Sequence, residues 1–261
     1  MKPLILITND DGVMSPGIKA VAESIIDFAD VLIVAPAKQQ TSMGRSFPKS
    51  DDVGIIDFVD MDINGNAIVA YGVHGAPATA VSHAVLEIAQ RKIDLCISGI
   101  NYGENLGLGL SCSGTVGAAL EANTYDIPAI AISLEAVLES QHSSEFSELD
   151  WTQSKRVIRY FVQKILQEGL DENIALLNIN IPNDATDDTK FELTKQSRQN
   201  YFFFKKPDKR NFSEKLRLQS YIEVDYNTLE ENSDICCFIT RRNISITPVT
   251  WDMTSQTKYE L

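Results

Sequence analysis

The chain has little of what would announce its chemistry. Its four cysteines (Cys96, Cys112, Cys236, Cys237) fall in no CxxC or Cys/His spacing, so a thiolate zinc site is not expected. Of its three histidines, His83 reads as a packed or partly exposed helix residue. His74 stands just before that helix, and neither reads as a catalytic group. Positive charge is scarce: 23 Lys and Arg face 36 Asp and Glu, a formal net charge of −13. Long nucleic acids are held by many Lys and Arg contacts, so that class of partner is excluded, whereas a small phosphorylated ligand is not. No apolar run approaches the roughly twenty residues that cross a bilayer. The first apolar run is only four residues long before a charged turn, so a secretory leader is not expected. Without a disulfide framework, the reducing cytoplasm is the expected compartment. Internal repeats and low-complexity tracts are missing too. The remaining composition is that of a soluble globular protein, and 261 residues suffice for one large α/β domain, or a core with an appendage.

What is present starts at the N-terminus. Leu4-Ile5-Leu6-Ile7 leads into Thr8-Asn9-Asp10-Asp11-Gly12, a short buried strand of the parallel-sheet kind ending in a polar turn. The end of a parallel strand is where open α/β sheets place ligands. Adjacent Asp10 and Asp11 would repel each other there unless a hard divalent cation lay between them. A turn with two solvated carboxylates explains the stretch equally well on its own. Ser15-Pro16 then opens a helix with Ile18, Val21, Ala22 and Ile25 on one face, and residues 31–35 form a second strand. This strand–helix–strand start also begins dinucleotide-binding folds, but their GxGxxG fingerprint is replaced by NDDGVM.

Further strand ends follow at the same edge. The loop after the second strand, residues 37–46, holds Thr41, Ser42, Gly44 and Arg45. Residues 53–60 and 67–72 flank Asn64-Gly65, a hairpin signal. Gly75-Ala76-Pro77-Ala78 opens a helix. The strand at residues 94–98 runs into the glycine-rich stretch 99–107, which carries Asn101 and Asn105; an amide oxygen can ligate a hard cation. Ser113-Gly114-Thr115 starts another helix, offering free N–H groups, two hydroxyls and the positive end of a helix dipole to a phosphate. A strand at 129–133, a polar link over 139–148, a helix with Ile158, Phe161, Val162 and Ile165 on its core face, and a strand at 174–181 complete the pattern. About six strands alternating with four helices predict a Rossmann-like, three-layer, doubly wound α/β sheet over residues 1–182. After Pro182 the texture changes. Tyr201-Phe202-Phe203-Phe204 reads as a run buried in the chain's own core or against another subunit, and 235–240 and 244–247 read as strands.

Taken in order, ITNDDG at 7–12, VAPAKQQTSMGRS at 34–46, SGINYGENLG at 98–107, SGTVGAALEA at 113–122, LNINIP at 177–182 and SITP at 245–248 resemble the SurE (survival protein E) family. These are metal-dependent phosphatases of nucleoside monophosphates, and the resemblance spans nearly the whole chain. It implies one divalent cation, Mg²⁺ or Mn²⁺, held by Asp10, Asp11, the loop hydroxyl and Asn101. In register from Ala35-Pro36 that hydroxyl falls on Thr41, with Ser42 one residue later. It implies phosphate or substrate contacts at Asn9, Ser42, Asn105, Ser113, Gly114 and Thr115, with Asp10 and Asp11 catalytic. It also implies a hairpin and tail in residues 183–261 that assemble dimers or tetramers. The chain departs from the family at Arg45, often His or Asn, and at residues 75–80, often a GTPADC-like turn. Rival readings are a Mg²⁺-binding receiver module, which needs a third aspartate that is lacking here, a haloacid-dehalogenase-type phosphatase, whose DxD spacing is lacking too, and a non-catalytic structural oligomer.

Overall fold

Strand β1 (Leu4–Thr8) shows how the layers arise. Its side chains alternate, so Ile5 and Ile7 enter one core cluster and Leu6 the opposite one. Helix α1 (Pro16–Ile25) starts on Ser15, whose side chain accepts the Gly17 N–H, with Pro16 in the first turn. The computed structural model, which describes residues 1–137 and 146–255, continues with β2 (Asp30–Pro36) and the hairpin β3 (Ile56–Ile63) and β4 (Asn66–Val73). Then come α2 (Pro77–His83), β5 (Leu95–Tyr102), α3 (Gly114–Asn123) and β6 (Ala129–Leu134). Helix α4 (Thr152–Glu168) and β7 (Leu176–Ile181) follow. The last part holds β8 (Phe191–Leu193), β9 (Phe202–Phe204), β10 (Ser220–Ile222), α5 (Asp234–Thr240) and β11 (Ile244–Val249).

Nine strands form one sheet in the order β3-β4-β2-β1-β5-β6-β7-β11-β8, and β9 pairs with β10 apart from it. From β4 to β7 the neighbours run parallel, whereas β3 and β11 lie antiparallel to β4 and β7. One face is covered by α1 and α4, with Ile18, Val21, Ile158, Phe161 and Ile165 in the core. Small residues of α2 and α3, including Ala80, Ala118, Ala119 and Ala122, cover the other. The three-layer, doubly wound expectation is met. The chain leaves β1 toward β2 on one side and returns to β5 on the other, so the topological switch point lies between β1 and β5.

Several boundaries differ from those read in the sequence. Residues 235–240, expected as a strand, are helix α5. Ser233 caps it by accepting the Cys236 N–H, and its apolar side (Ile235, Cys237, Phe238) is buried; a six-residue apolar run does not by itself separate helix from strand. Strand β3 begins only at Ile56, residues 51–54 forming a turn. Strand β5 does not stop at Ser98 but continues to Tyr102, with an irregularity against β6 between Ser98 and Asn101. Ile244–Val249, beyond the change of texture at Pro182, is a full member of the main sheet. Most of the polar link over 139–148 lies outside the described residues.

The extension of β5 is possible because of a helix glycine. A Cβ on Gly17 would stand 2.1 Å from the carbonyl oxygen of Ile100, so α1 and the end of β5 touch backbone to backbone. Gly17→Ala is therefore expected to lower stability by about 2–3 kcal/mol, read as a fall in the urea midpoint; an unchanged midpoint would contradict this contact.

Candidate active site at the carboxyl edge of the sheet

The turn after β1 is locked by Asn9. Its Oδ1 accepts the Gly12 N–H (3.0 Å) and its Nδ2 donates to the Gly12 carbonyl (3.2 Å). Gly12 itself takes φ +103°, a conformation that favours glycine. Asn9 is thus committed to shaping the turn that presents the next two side chains. The loop after β2 docks on it: Gln40 N–H donates to the Asp10 carbonyl (2.6 Å) and Val13 N–H to Pro36 (2.8 Å).

Asp10 and Asp11 are both buried, each only 4 % exposed. Thr115 Oγ1 donates to Asp10 Oδ1 at 2.7 Å. A Cβ on Gly114 would lie 2.7 Å from Asp10 Cβ and Oδ2, so only glycine lets this carboxylate reach the start of α3. Ser113 caps that helix, accepting the Val116 N–H at 3.1 Å. Asp11 Oδ2 accepts the Tyr102 N–H at 3.2 Å, which the lengthened β5 supplies, and Gln39 Nε2 stands 3.5 Å from Oδ1. Burial pushes both carboxyls well above the usual carboxylate range, and the charge of Asp10 pushes Asp11 further. None of the neighbours just named is cationic, so the repulsion has no protein counter-charge at this point.

The other two expected cation ligands, Thr41 and Asn101, differ in their surroundings. Thr41 Oγ1 is buried with no hydrogen-bond partner, whereas Ser42 beside it is exposed and has a left-handed backbone, φ +64°. Asn101 Nδ2 donates to the Gly103 carbonyl at 2.7 Å, which leaves Oδ1 as the open end of the amide. Two carboxylates, a hydroxyl with no partner and an amide oxygen make an all-oxygen set that suits a hard divalent cation. Among the described residues no group of three His, Cys, Asp or Glu side chains could hold a metal; Thr41 and Asn101 are of none of these kinds.

Phosphate chemistry is offered next to this set. The N-terminus of α3 faces Asp10, with Ser113, Gly114 and Thr115 in its first turn. In this geometry Thr115 has its hydroxyl on Asp10 and acts first on the carboxylate. Asn105 Nδ2 donates to Ser133 Oγ (2.9 Å), and its backbone is braced by Asn180 Oδ1 (2.7 Å), Asn180 Nδ2 (3.1 Å) and Asn178 Nδ2 (2.9 Å). Sequence reasoning missed this brace, together with Gln39 and the Tyr102 N–H. Its signal was the pair of asparagines in the otherwise apolar strand LNINIP, since buried polar groups in a strand need partners. Arg45, at the departure from the family pattern, pairs through Nε with buried Glu121 at 2.7 Å, fastening the Thr41 loop to α3. His74 lies between Asp52 and Asp57 and His83 pairs with Glu87, so neither joins the site.

An open, mostly parallel α/β sheet with a buried carboxylate pair and a helix N-terminus at its switch point defines a protein of the doubly wound class. Comparison with known proteins makes this specific. Residues 5–202 match the family model described as Survival protein SurE. The chain is 38 % identical to a 5'-nucleotidase SurE of Methanocella arvoryzae, covering 96 % of this chain and 93 % of that one. It is 36 % identical to the 5'-nucleotidase SurE of Methanosarcina barkeri, covering 99 % and 96 %. The crystal structure of the SurE protein from Aquifex aeolicus superposes with a TM-score of 0.73 at 29 % identity, covering 97 % of this chain and 95 % of that one. The chain belongs to the SurE family.

The raised carboxyls have a consequence for stability. A group whose folded pKa lies above its unfolded value contributes stability below the unfolded value and loses it as pH rises through the folded one. In EDTA, the wild type is therefore expected to lose thermal stability as pH rises from about 4 through neutrality, more steeply than Asp11→Asn. Parallel melting-temperature profiles for the two proteins would refute the assignment.

Proposed function

We propose that this chain hydrolyses nucleoside 5'-monophosphates to nucleoside and orthophosphate, and that it also accepts 3'-monophosphates and short polyphosphate. The observation that carries the reading is the buried, adjacent Asp10–Asp11 pair facing the α3 N-terminus, with the partnerless Thr41 hydroxyl nearby. The activity named for the Methanocella and Methanosarcina relatives supports it. Asp10, Asp11, Thr41 and Asn101 would hold one Mg²⁺ or Mn²⁺. When bound, the cation supplies Lewis-acid stabilisation of charge on the phosphoryl group. The remaining work falls to the chain. Asn105 Nδ2 uses one hydrogen on Ser133 and offers the other to a phosphate oxygen. Ser113 and the first N–H groups of α3 stabilise charge on the equatorial oxygens. Asp10, aimed by Thr115, accepts the proton of the attacking water, while Asp11, fixed by the Tyr102 N–H, serves as a ligand.

The surroundings fit this role. No helix among the described residues is long and apolar enough to cross a membrane. All four cysteines are free, which suits the reducing cytoplasm. Residues 183–261 are proposed as the assembly region of a dimer or tetramer, through the β9–β10 ribbon. Its exposed Phe204, Phe212, Leu216 and Ile222 would be covered by a second copy.

A phosphatase panel of nucleoside 5'- and 3'-monophosphates, with EDTA and with Mg²⁺ or Mn²⁺ restored, tests the reading. Activity is expected only with the cation, and Asp10→Asn is expected to lose more than about a hundredfold in kcat. Thr41→Ala should raise the Mn²⁺ concentration for half-maximal activity by about tenfold, the lower end of what loss of a metal-supporting group costs. Ser42→Gly should leave it unchanged, because glycine suits φ +64°. Turnover in EDTA, or the reverse order of the two loop variants, would overturn the proposal.

A further inference from the structure

Another buried carboxylate, away from the Asp10–Asp11 pair, ties the C-terminal region to the loop that carries Asn105. Asp234 is the first residue of α5 and is fully buried. Its partners are backbone N–H groups from three segments: Oδ2 accepts from Gly107 (2.9 Å), and Oδ1 from Ser197 (2.9 Å) and Ile235 (2.8 Å). Capping of α5 does not require this arrangement, since Ser233 already accepts the Cys236 N–H. What Asp234 adds is the capture of two other segments.

The same junction is closed by further bonds. Gln196 Nε2 donates to the Gly107 carbonyl at 2.9 Å, and Leu108 N–H donates to the Gln199 carbonyl at 3.0 Å. Gly107 takes φ +54°, and a Cβ there would stand 2.4 Å from the Gln199 carbonyl oxygen. Leu106, Tyr201, Ile235 and Phe238 pack into a small core beneath. Asn105 lies two residues before Gly107, with only Leu106 between them. Its other side is held by Asn178, Asn180 and Ser133. The active-site loop is thus gripped at two points, by the main sheet at Asn105 and by the C-terminal region at Gly107.

We propose that Asp234 is a positioning residue for Asn105: by pinning the Gly107 N–H it sets where the Asn105 amide stands, and so makes residues 194–238 part of the substrate-binding apparatus. The inference rests on the reading of Asn105 as a phosphate contact. The shift of a contact by a fraction of an ångström is enough to weaken binding and turnover severalfold or more.

The test uses the full-length protein with Mn²⁺, adenosine monophosphate as substrate and inorganic phosphate as competing ligand. The variants are Asp234→Asn, Gln196→Ala, Asn105→Ala and the Asp234→Asn/Asn105→Ala double. Asp234→Asn is expected to raise both the KM and the inhibition constant of inorganic phosphate by about tenfold. Hydrogen exchange across residues 103–112 should quicken, and Mn²⁺ affinity by calorimetry should stay unchanged. Gln196→Ala, at an exposed side chain, should shift the same quantities in the same direction by less. In the Asn105→Ala background, Asp234→Asn should add nothing. Losses that multiply in the double variant, a parallel fall in Mn²⁺ affinity, or faster loop exchange with unchanged KM would each overturn the proposal. Should Asp234→Asn not fold, unchanged phosphate inhibition in Gln196→Ala overturns it alone. If Asn105→Ala keeps wild-type KM, the phosphate-contact reading falls with it; if only Asp234→Asn is silent, that reading survives.

Discussion

Two carboxylates on successive residues, both buried at the end of the first strand, impose the constraint on which the site depends. A buried charge is costly unless it is paired, and two like charges side by side compound the cost. The fold supplies hydrogen bonds to each, from Thr115 to Asp10 and from the Tyr102 N–H to Asp11, but these do not cancel two negative charges. At the switch point between β1 and β5, the Thr41 loop, the end of β5 and the start of α3 all meet the turn that carries this pair.

Close backbone approach makes this convergence possible, and it is bought with glycine. Gly114 lets Asp10 reach α3, Gly17 lets α1 press on Ile100, and Gly117 lets α3 meet the backbone of Gly44, to which its Cβ would otherwise come within 2.4 Å. Each contact fixes one of the segments around the Asp10–Asp11 pair. The Arg45–Glu121 pair adds a charged fastening between the Thr41 loop and α3, chemistry that a His or Asn at that position would supply differently.

Much of this was legible in the residues. The apolar runs of β1, β2 and β6, the Ser15-Pro16 helix start and the Asn64-Gly65 hairpin carry strong local signals, and the structure places them as expected. Asp10, Asp11 and Gly114 converge, and Thr41 stands out from Ser42 by burial alone, a property invisible in sequence. The strand reading of 235–240 failed because a short apolar run has no decisive period, although Ser233-Asp234 was a helix-start signal in plain view. The Asn105 brace and the Asp234 junction were hidden for a different reason. Both are long-range contacts, joining residues 73 to 75 and 127 positions apart, and only the closed sheet brings them together. A receiver module remains the poorer reading, because the end of β5 offers Asn101 where that chemistry needs a phosphoacceptor aspartate.

One divalent cation held by both carboxylates would relieve the Asp10–Asp11 repulsion, and anomalous scattering from a crystal soaked in Mn²⁺ tests this most directly. A single strong peak is expected between the two carboxylates, with Thr41 Oγ1 and Asn101 Oδ1 at coordination distance, roughly 2.2 Å. A peak held by Ser42 instead of Thr41, or none at this pair while Mn²⁺ binds elsewhere, would contradict it.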